Sequence, residues 1–354
     1  MKITFITATL ISGGSERVIS LLANSMAERG HQTEIIGLTK HVVFYPISSK
    51  VRVTFVEDEG KKSIVQKMLW LRKYVKKSQP DVVIPFMIPV YITTLLALLG
   101  TNVPIITSER NDPASFSLPW RLARRILLPT TTCHVVQTQK IKDYYTEDIR
   151  KKTVIIYNPV TEKVFHQKPE PKEDVFINVA RLFPQKNQRM LINAFASIGE
   201  QLPGWKLKIY GEGPLREELQ SQIEQLGLHD RVLLCGRSEQ VLEEMNRSKV
   251  FVMSSNNEGL SNSMIEALCL GLPIVTTRVS GTEELVEDGK NGFLCNIGDE
   301  KALAELMLKT AQDGNMNNMS EQNKAKSNLF KEEQIVDQWE KLITQIISSE
   351  ANIC

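Results

Sequence analysis

The sequence predicts an α/β protein built from two doubly wound domains, and three observations lead to this prediction. Its 354 residues exceed one ordinary hydrophobic core and suit two domains of roughly 150–200 residues each. Short apolar strands alternate with helical patterns along the chain, which is typical of parallel sheets covered by helices on both faces. A stretch rich in proline and charge, residues 168–173, separates two such series.

The first series predicts a domain over residues 1–168. Helices are predicted at Glu16–Arg29 and within residues 61–77 and 120–128. The most apolar stretch, Ile84–Leu99, contains two prolines and falls short of the about 18 apolar residues that a membrane-spanning helix needs. Short apolar runs predict the strands, which are Ile3–Thr7, Thr33–Leu38, Asp81–Phe86, Pro104–Thr107, His134–Thr138 and Val154–Tyr157.

The second series predicts a domain over residues 169–330, followed by a C-terminal segment, residues 331–354. That segment contains an amphipathic helix, Glu332–Ser348, which follows an Asn-rich turn at Gly314–Asn318 and is expected to pack back across the domain boundary. The predicted strands are Val175–Ala180, Lys206–Tyr210, Val232–Cys235, Val250–Met253 and Pro273–Thr276. The predicted helices are Arg189–Glu200, Leu215–Leu226, Val241–Arg247, Ser263–Leu270 and Lys301–Gln312.

Composition and charge narrow the class of protein. A hydrophobic content of 42% and a charged content of 24% are typical of globular proteins. The five cysteines are scattered and form no C-x-x-C pair, so we expect a reducing cytoplasm and neither disulfides nor a zinc site. Residues 1–170 carry 24 Lys/Arg against 14 Asp/Glu, which indicates that the first half meets something anionic. A net charge of +2 without a recognised binding motif argues against nucleic acid.

Two turns carry residues suited to phosphate binding. Gly13 and Gly14 follow the first strand and open a helix, where free N–H groups favour an anion, although an ordinary turn with Ser15 as N-cap explains them equally well. Arg181 and Lys186 follow the first strand of the second domain, where two cations can hold a diphosphate or simply be solvated. The turn at residues 210–215 is open to both a structural and a ligand-binding interpretation.

Two glutamates raise a question about ligands. Glu258 precedes Gly259 in a stretch that follows a strand, and such loops often carry catalytic residues. Glu266 lies in the short apolar helix Ser263–Leu270, for which Ser261 or Asn262 is a suitable N-cap. Because an unpaired buried carboxylate is unfavourable, Glu266 needs partners. Sugar hydroxyls, an arginine or a helix-capping role would each supply them.

Glu258 and Glu266, with seven residues between them, resemble the E-x7-E motif of retaining glycosyltransferases of family 4, which have the two-domain GT-B fold. Further motifs agree in order along the chain: Gly13-Gly14, residues 157–160 (the N-P-V signature), Arg181 with Lys186, residues 211–214 and residues 281–293. The resemblance implies two Rossmann-like domains facing a central cleft in which ligands bind. The first domain would hold the acceptor and the second the nucleotide sugar.

The resemblance also implies roles for individual residues. Glu266 would hold the ribose of a nucleotide sugar, with UDP favoured, while Arg181 and Lys186 neutralise the departing diphosphate and Glu258 orients the sugar. Positioned donors would stabilise the leaving-group charge, and the released phosphate would take the acceptor's proton on the same face, giving an alpha linkage by retention. The remaining donor-binding residues implied are Gly13, Gly14, Gly211, Gly236, Arg237, Gly259, Leu260, Ser261 and Asn262.

One segment departs from the family pattern. Many relatives carry a histidine in the loop that here spans residues 107–113, and we expect Glu109 or Arg110 to replace it, with Glu109 as the catalytic candidate. The chain has no Asp-x-Asp pair, and its histidines form no i, i+4 pair. We therefore expect neither a metal nor another cofactor, because basic side chains can do the metal's work.

Two basic amphipathic helices, residues 61–77 and 120–128, predict the surface of the first domain that meets the acceptor. With interfacial aromatic residues they are suited to an anionic membrane surface, although a core face opposite a solvated basic face explains them as well. The expected function is transfer to a lipid-linked or saccharide acceptor in surface glycan assembly, in the cytoplasm or peripherally at the inner face of the cell membrane. The alternatives are a nucleotide-sugar epimerase and a catalytically silent sugar-nucleotide-binding subunit.

Overall fold

A computed structural model describes residues 1–168 and 170–351, and the chain divides into two units. Unit 1 comprises Met1–Pro159 together with the C-terminal segment from Glu333, and unit 2 comprises Val160–Glu332. The change of unit therefore comes nine residues earlier than the predicted boundary at residue 168. The reason is local: the Val160 N–H donates to the Phe330 carbonyl at 2.8 Å, and Val164 is buried.

Unit 1 is built on a parallel sheet. Two sets of strands, in the orders β3-β2-β1-β4 and β5-β6-β7, are joined by parallel bridges from Val83 to Ile105 and from Phe86 to Ser108. One strand, β3, was not predicted because its residues are only partly buried and form no apolar run. The strands are β1 Lys2–Thr7, β2 Gln32–Gly37, β3 Arg52–Phe55, β4 Val82–Pro85, β5 Ile106–Ser108, β6 Cys133–Val136 and β7 Thr153–Ile155.

Helices cover this sheet and include most of the apolar stretch at residues 84–99. Pro85 ends β4, and Pro89 lies in the first turn of α3, where a missing N–H is harmless. In the described part of the chain, no helix combines the length and the apolar character that a membrane span requires. The helices are α1 Gly14–Glu28, α2 Ile64–Ser78, α3 Ile88–Ala97, α4 Leu118–Leu127, α5 Gln139–Asp143 and α6 Glu147–Lys151.

Unit 2 contains a parallel sheet in the order β10-β9-β8-β11-β12-β13. The strands are β8 Glu173–Val179, β9 Lys206–Tyr210, β10 Val232–Gly236, β11 Ser248–Met253, β12 Ile274–Thr277 and β13 Gly292–Cys295. The helices are α7 Glu162–Phe165, α8 Gln188–Ser197, α9 Arg216–Gln225, α10 Val241–Arg247, α11 Asn262–Cys269, α12 Thr282–Leu285, α13 Glu300–Gln312 and α14 Met316–Lys326. The strand order places β8 beside β11, which decides where the candidate site forms.

The prediction of an Asn-rich turn at Gly314–Asn318 is wrong for its second half, because helix α14 starts at Met316. Burial explains why such a polar sequence is helical here. Met319 is fully buried, and Asn323 donates to the Leu272 carbonyl at 2.7 Å and to the Asn291 carbonyl at 2.9 Å. Tertiary hydrogen bonds thus override the weak helix propensity of asparagine.

The last helix, α15 Glu332–Ala351, belongs almost entirely to unit 1. Its apolar face joins the same core as β1 and β4, where Trp339 stacks on Phe86 with ring centroids 6.2 Å apart. His31 lies 2.7 Å from a Glu340 carboxylate oxygen, and Arg29 pairs with the same carboxylate at 2.6 Å. The C-terminal helix therefore completes the core of the unit that the N-terminal strands begin.

Candidate functional site

The carboxyl ends of β8 and β11 bring two loops of unit 2 together. Because these strands are parallel neighbours, the loops at residues 180–187 and 254–261 leave the same edge of the sheet. The Asn256 N–H donates to the Gln185 carbonyl at 2.8 Å, and the Ser254 hydroxyl donates to the Lys186 carbonyl at 2.9 Å. The sheet thus assembles residues that the sequence pattern singled out separately.

Lys186 and Glu258 form an ion pair across these two loops. The pair is largely shielded, since the side chain of Lys186 is 13% exposed and that of Glu258 12%. The Ser255 hydroxyl lies 3.4 Å from a Glu258 carboxylate oxygen. Burial, with a smaller contribution from the charge of Arg181, lowers the pKa of Lys186 to about 8.

Arg181 completes a cluster of two cations and one carboxylate. Its side chain is exposed, and its guanidinium lies over the Phe183 ring at 4.9 Å from the centroid. Its carbonyl accepts a hydrogen bond of 3.0 Å from the Gln188 amide, which fixes the loop after β8. An exposed guanidinium beside a shielded ammonium is suited to a small polyanion such as a diphosphate.

Helix α11 starts at the edge of this cluster. Ser261 is its N-cap, and its hydroxyl accepts from the Met264 N–H. Gly259 and Leu260 are buried just before it. A Cβ on Gly281 would lie 2.3 Å from the Gly259 carbonyl oxygen, so the turn at residues 281–282 supports the loop from behind and tolerates only glycine at its tip.

Glu266 lies one turn into α11 and is 5% exposed. Burial raises the pKa of the Cys269 thiol to about 12, and the negative charge of Glu266 adds to that shift. Glu266 already interacts with other residues of the chain. Its burial therefore does not by itself require the hydroxyls of a bound sugar, and its role in holding a ribose stays a prediction.

The glycines of the neighbouring strands shape the backbone behind Arg181. Gly211 has a φ of +139°, and a Cβ there would lie 2.0 Å from the Ala180 carbonyl oxygen. Its N–H donates to the Gly236 carbonyl at 2.8 Å, while Arg237, the residue after Gly236, is exposed. These contacts show a structural reason for Gly211, whereas contact of Gly236 and Arg237 with a donor stays a prediction.

In unit 1, the Glu16 carboxylate lies against the backbone of the Gly13-Gly14 turn. Gly13 is the N-cap of α1 without a side-chain cap, so the interpretation of Ser15 as N-cap is wrong. Instead, the Ser15 hydroxyl donates to a Glu16 carboxylate oxygen at 2.8 Å, and a Cβ on Gly13 would lie 2.1 Å from that oxygen. A phosphate approaching Gly13 and Gly14 would have to displace Glu16.

Glu109 points into the interior of unit 1. Its side chain is 0% exposed and accepts from the Tyr91 hydroxyl at 3.0 Å and from the N–H groups of Arg110 and Asn111 at 3.1 and 3.3 Å. Burial raises its pKa to about 7, although Arg124 opposes that shift. The enclosed carboxyl group of Glu109 holds the backbone of its loop, and its predicted contact with a sugar stays a prediction.

Arg110 is also buried and ties three loops together. Its guanidinium donates to the Ser108 hydroxyl at 2.9 Å and to the side-chain amide oxygen of Asn158 at 2.7 Å, and it lies over the Phe86 ring. These residues lie at the carboxyl ends of β4, β5 and β7 or just beyond them. Burial lowers the pKa of Arg110 to about 9.

Sequence reasoning missed the polar cluster around Glu109. Arg124 was assigned to a basic surface helix, yet its guanidinium is buried and donates to the Pro113 carbonyl at 3.2 Å. His134 donates to or accepts from Thr107 at 2.8 Å, and burial lowers its pKa to about 3, so it is neutral. Helical spacing was the available signal, since Trp120 and Leu127 place Arg124 on the apolar face of α4.

Because of Glu109, the free energy of unfolding should depend on pH. Its pKa is about 7 in the folded protein, above the ordinary value of 4.5. The stability contributed by the neutral carboxyl is therefore complete below pH 4.5 and is lost as the pH rises through about 7. Relative to the wild type, Glu109→Gln should gain about 2–3 kcal/mol in unfolding free energy between pH 5 and pH 8.

Urea unfolding of both proteins at the two pH values checks this. The pKa values of Tyr91 and Tyr145, which face Glu109, lie well above 10, so neither tyrosine titrates between the two pH values. A difference between variant and wild type that is the same at pH 5 and pH 8 would contradict the prediction.

The described residues contain no group of three or more His, Cys, Asp or Glu side chains placed to hold a metal ion. Whether activity requires a metal ion is tested by comparing rates with and without a chelator.

Two family models match the chain, one in each half. The model described as Glycosyltransferase Family 4 matches residues 12–163, and the model described as Glycosyl transferases group 1 matches residues 160–327. Together they extend over most of the sequence and meet at the point where unit 1 gives way to unit 2.

Relatives cover nearly the whole chain. The GalNAc-alpha-(1->4)-GalNAc-alpha-(1->3)-diNAcBac-PP-undecaprenol alpha-1,4-N-acetyl-D-galactosaminyltransferase of Campylobacter jejuni is 31% identical over 98% of this chain and 99% of its own length. An uncharacterized glycosyltransferase of Haemophilus influenzae is 29% identical over 94% of this chain and 96% of its own.

Solved structures show a similar fold. HepE of Anabaena in complex with UDP superposes with a TM-score of 0.82 at 20% identity, covering 98% of this chain and 100% of that one. The sucrose-phosphate synthase of Thermosynechococcus elongatus gives a TM-score of 0.83 at 16% identity, covering 98% and 99%.

Proposed function

Because the chain belongs to glycosyltransferase family 4 and has the GT-B fold, we propose that it transfers a sugar from a UDP-sugar to a lipid-linked saccharide with retention of configuration. One observation carries the proposal. Lys186 and Glu258, with Arg181 beside them, lie together at the carboxyl ends of two neighbouring parallel strands, where doubly wound sheets bind ligands. The runner-up functions, an epimerase and a silent subunit, are separated from it by the assay below.

The donor half of the reaction is assigned to unit 2. Arg181 and Lys186 would neutralise the diphosphate as the bond to the sugar breaks, which is the step at which negative charge develops. The start of α11 would add N–H donors from Gly259, Leu260 and the first helical turn. Glu258 would accept hydrogen bonds from sugar hydroxyls and Glu266 from the ribose.

The acceptor half is assigned to unit 1, and two lines support it. The Campylobacter relative acts on an acceptor linked through PP to undecaprenol. Unit 1 also exposes large apolar side chains at the helices that carry basic residues, with Arg121 and Arg125 exposed on α4. The exposed apolar residues on α2 and α4 are Ile64, Val65, Leu69, Leu118, Leu122 and Ile126.

Unit 2 offers a built-in comparison for this surface. Among the described residues, its exposed large hydrophobic side chains are Leu226, Ile297 and Leu329, and the others belong to unit 1. An apolar surface mixed with arginine and lysine is suited to the headgroup region of an anionic bilayer. We therefore place the enzyme at the inner face of the cell membrane, with the faces of residues 61–77 and 120–128 towards the lipid.

A donor panel tests the function. The protein is incubated with UDP-, GDP- and TDP-sugars, with and without a polyprenyl-diphosphate-linked saccharide, in the presence of EDTA. We expect release of UDP that requires the acceptor, a product with an alpha linkage, and rates unchanged by the chelator. Conversion of the donor without acceptor would indicate the epimerase, and tight nucleotide binding with no turnover would indicate the silent subunit.

Two variants test the residue assignment in the same assay. Glu266→Gln should mainly raise the KM for the donor, because it weakens a contact made by the bound nucleotide in every state. Glu258→Gln should mainly lower kcat, because the sugar hydroxyls are held during bond cleavage. If both variants kept wild-type kinetics, the assignment of this site would be wrong.

Membrane binding is tested by flotation with liposomes that contain anionic lipid. The side chains of Leu122 in unit 1 and Leu329 in unit 2 are each 50% exposed, so their substitution by glutamate is a matched pair. Leu122→Glu should reduce the floated fraction severalfold, whereas Leu329→Glu should leave it unchanged. Equal recovery of the wild type in the soluble fraction with and without lipid would contradict the membrane proposal.

A further inference from the structure

The ion pair between Lys186 and Glu258 joins two residues whose proposed partners are different parts of the donor. Lys186 is assigned to the diphosphate and Glu258 to the sugar, yet here each neutralises the other. Both side chains are nearly nine-tenths shielded from solvent. Their loops are held in register by hydrogen bonds between residues 185 and 256 and between residues 186 and 254.

The Glu258 carboxylate and the diphosphate of the donor compete for Lys186, because both are negatively charged and the ammonium is largely shielded from solvent. A shielded ammonium gains from one anionic neighbour, but a carboxylate and a diphosphate on the same ammonium repel each other. Arg181 lies close enough to act on Lys186 electrostatically and is itself exposed. A diphosphate that enters the site can therefore reach the exposed Arg181 directly, whereas Lys186 is paired with the Glu258 carboxylate.

We propose that Glu258 competes with the diphosphate for Lys186, so that the site discriminates between the intact nucleotide sugar and the free nucleoside diphosphate. With the intact donor, sugar hydroxyls donate to the Glu258 carboxylate and replace the hydrogen bonds it loses from Lys186. With the product, no sugar is present to do so. Glu258 then returns to Lys186 and weakens the hold on the nucleotide that has to leave.

This inference rests on the proposed function, and it gives Glu258 two effects of opposite sign. The carboxylate strengthens binding of the donor through the sugar and weakens binding of the product through Lys186. A residue that merely stabilised the loop would change both affinities in the same direction. The ratio of the two affinities is therefore the informative quantity.

Isothermal titration of the full-length protein with UDP, GDP and TDP, and with the matching nucleotide sugars, tests the proposal. Glu258→Gln should bind the nucleoside diphosphate about fivefold to tenfold more tightly than the wild type, the effect expected on removing a competing, partly buried charge. It should bind the nucleotide sugar no more tightly than the wild type. In a Lys186→Met background, the gain from Glu258→Gln should be smaller than with Lys186 present, because the contested ammonium is gone and only the repulsion between the carboxylate and the diphosphate is relieved.

A matched variant controls for net charge. Glu212→Gln removes one negative charge at the same sheet edge, where Glu212 pairs with Arg216 at 3.0 Å, and it leaves the Lys186 pair intact. An equal gain in Glu212→Gln, or a gain from Glu258→Gln that is just as large without Lys186, would overturn the competition. Nucleoside diphosphate binding to Glu258→Gln that is equal to or weaker than wild type would also overturn it. Failure of the wild type to bind any of the three nucleotides would instead overturn the proposed function.

Discussion

Lys186→Met is expected to lower kcat/KM by about a thousandfold, since one positioned donor to developing charge is worth about 10²–10³ and its loss also weakens ground-state binding. The methionine keeps the length and the apolar stem of the side chain, so the loop after β8 is retained. What is lost is a shielded charge beside the exposed Arg181. The variant also leaves the Glu258 carboxylate without its cation, which adds repulsion towards a diphosphate.

Steady-state kinetics with the donor found by the panel check this prediction. Lys208→Met is the matched control, because Lys208 is a shielded lysine of unit 2 that pairs with Glu244 at 3.0 Å and lies within β9. That variant removes one positive charge, the similarly buried pair with Glu244 and a more exposed pair with Glu173 at 3.3 Å, and it should keep most of the activity. A loss of less than tenfold in Lys186→Met would show that the leaving diphosphate is stabilised elsewhere.

Trp339→Ala is expected to lower the unfolding free energy by about 3–5 kcal/mol, the usual range for deleting a large buried aromatic side chain. Trp339 is fully buried and stacks on Phe86, which in turn lies under the Arg110 guanidinium at 4.8 Å. The cavity would therefore open in the core of unit 1, close to Arg110, which ties together the loops after β4, β5 and β7. The described residues of the hydrophobic cluster that contains Trp339 all belong to unit 1.

Hydrogen exchange measured by mass spectrometry distinguishes a local from a general effect. Protection should fall in β1, β4 and α15 and stay near wild type in β8 and β9. Trp339→Phe retains much of the volume and is the conservative control, with an expected loss well below that of alanine. A change of less than 1 kcal/mol in Trp339→Ala, or equal loss of protection in both units, would contradict the assigned packing.

Local sequence patterns predicted most of the architecture. Strand β9 and helix α10 have the predicted bounds, because each is an apolar or amphipathic run between clear turn signals. Strands β3 and β13 escaped prediction. The first is only partly buried, and the second is four residues long, so neither shows a distinctive period. Helix α14 was missed because its side chains are polar and its stability comes from tertiary contacts.

The candidate site divides along the same line. The residue types and their order along the chain pointed to Arg181, Lys186, Glu258 and Glu266, since cations and carboxylates after strands are visible in the sequence. The pairing of Lys186 with Glu258 was not visible in the sequence, because it depends on β8 and β11 being neighbours in the sheet. The same limit applied to Glu109, which was predicted as a catalytic residue and whose complete burial the local sequence did not show.

By itself, the sequence determined the α/β class, the two series of strands and helices, and the chemistry present at the strand ends, because these follow from periodicity and residue type. Only the tertiary structure decided that α15 completes unit 1, that Arg124 and Glu109 are buried together, and that Lys186 meets Glu258. The physical reason is that burial and charge pairing depend on residues far apart in sequence, which local propensity does not contain.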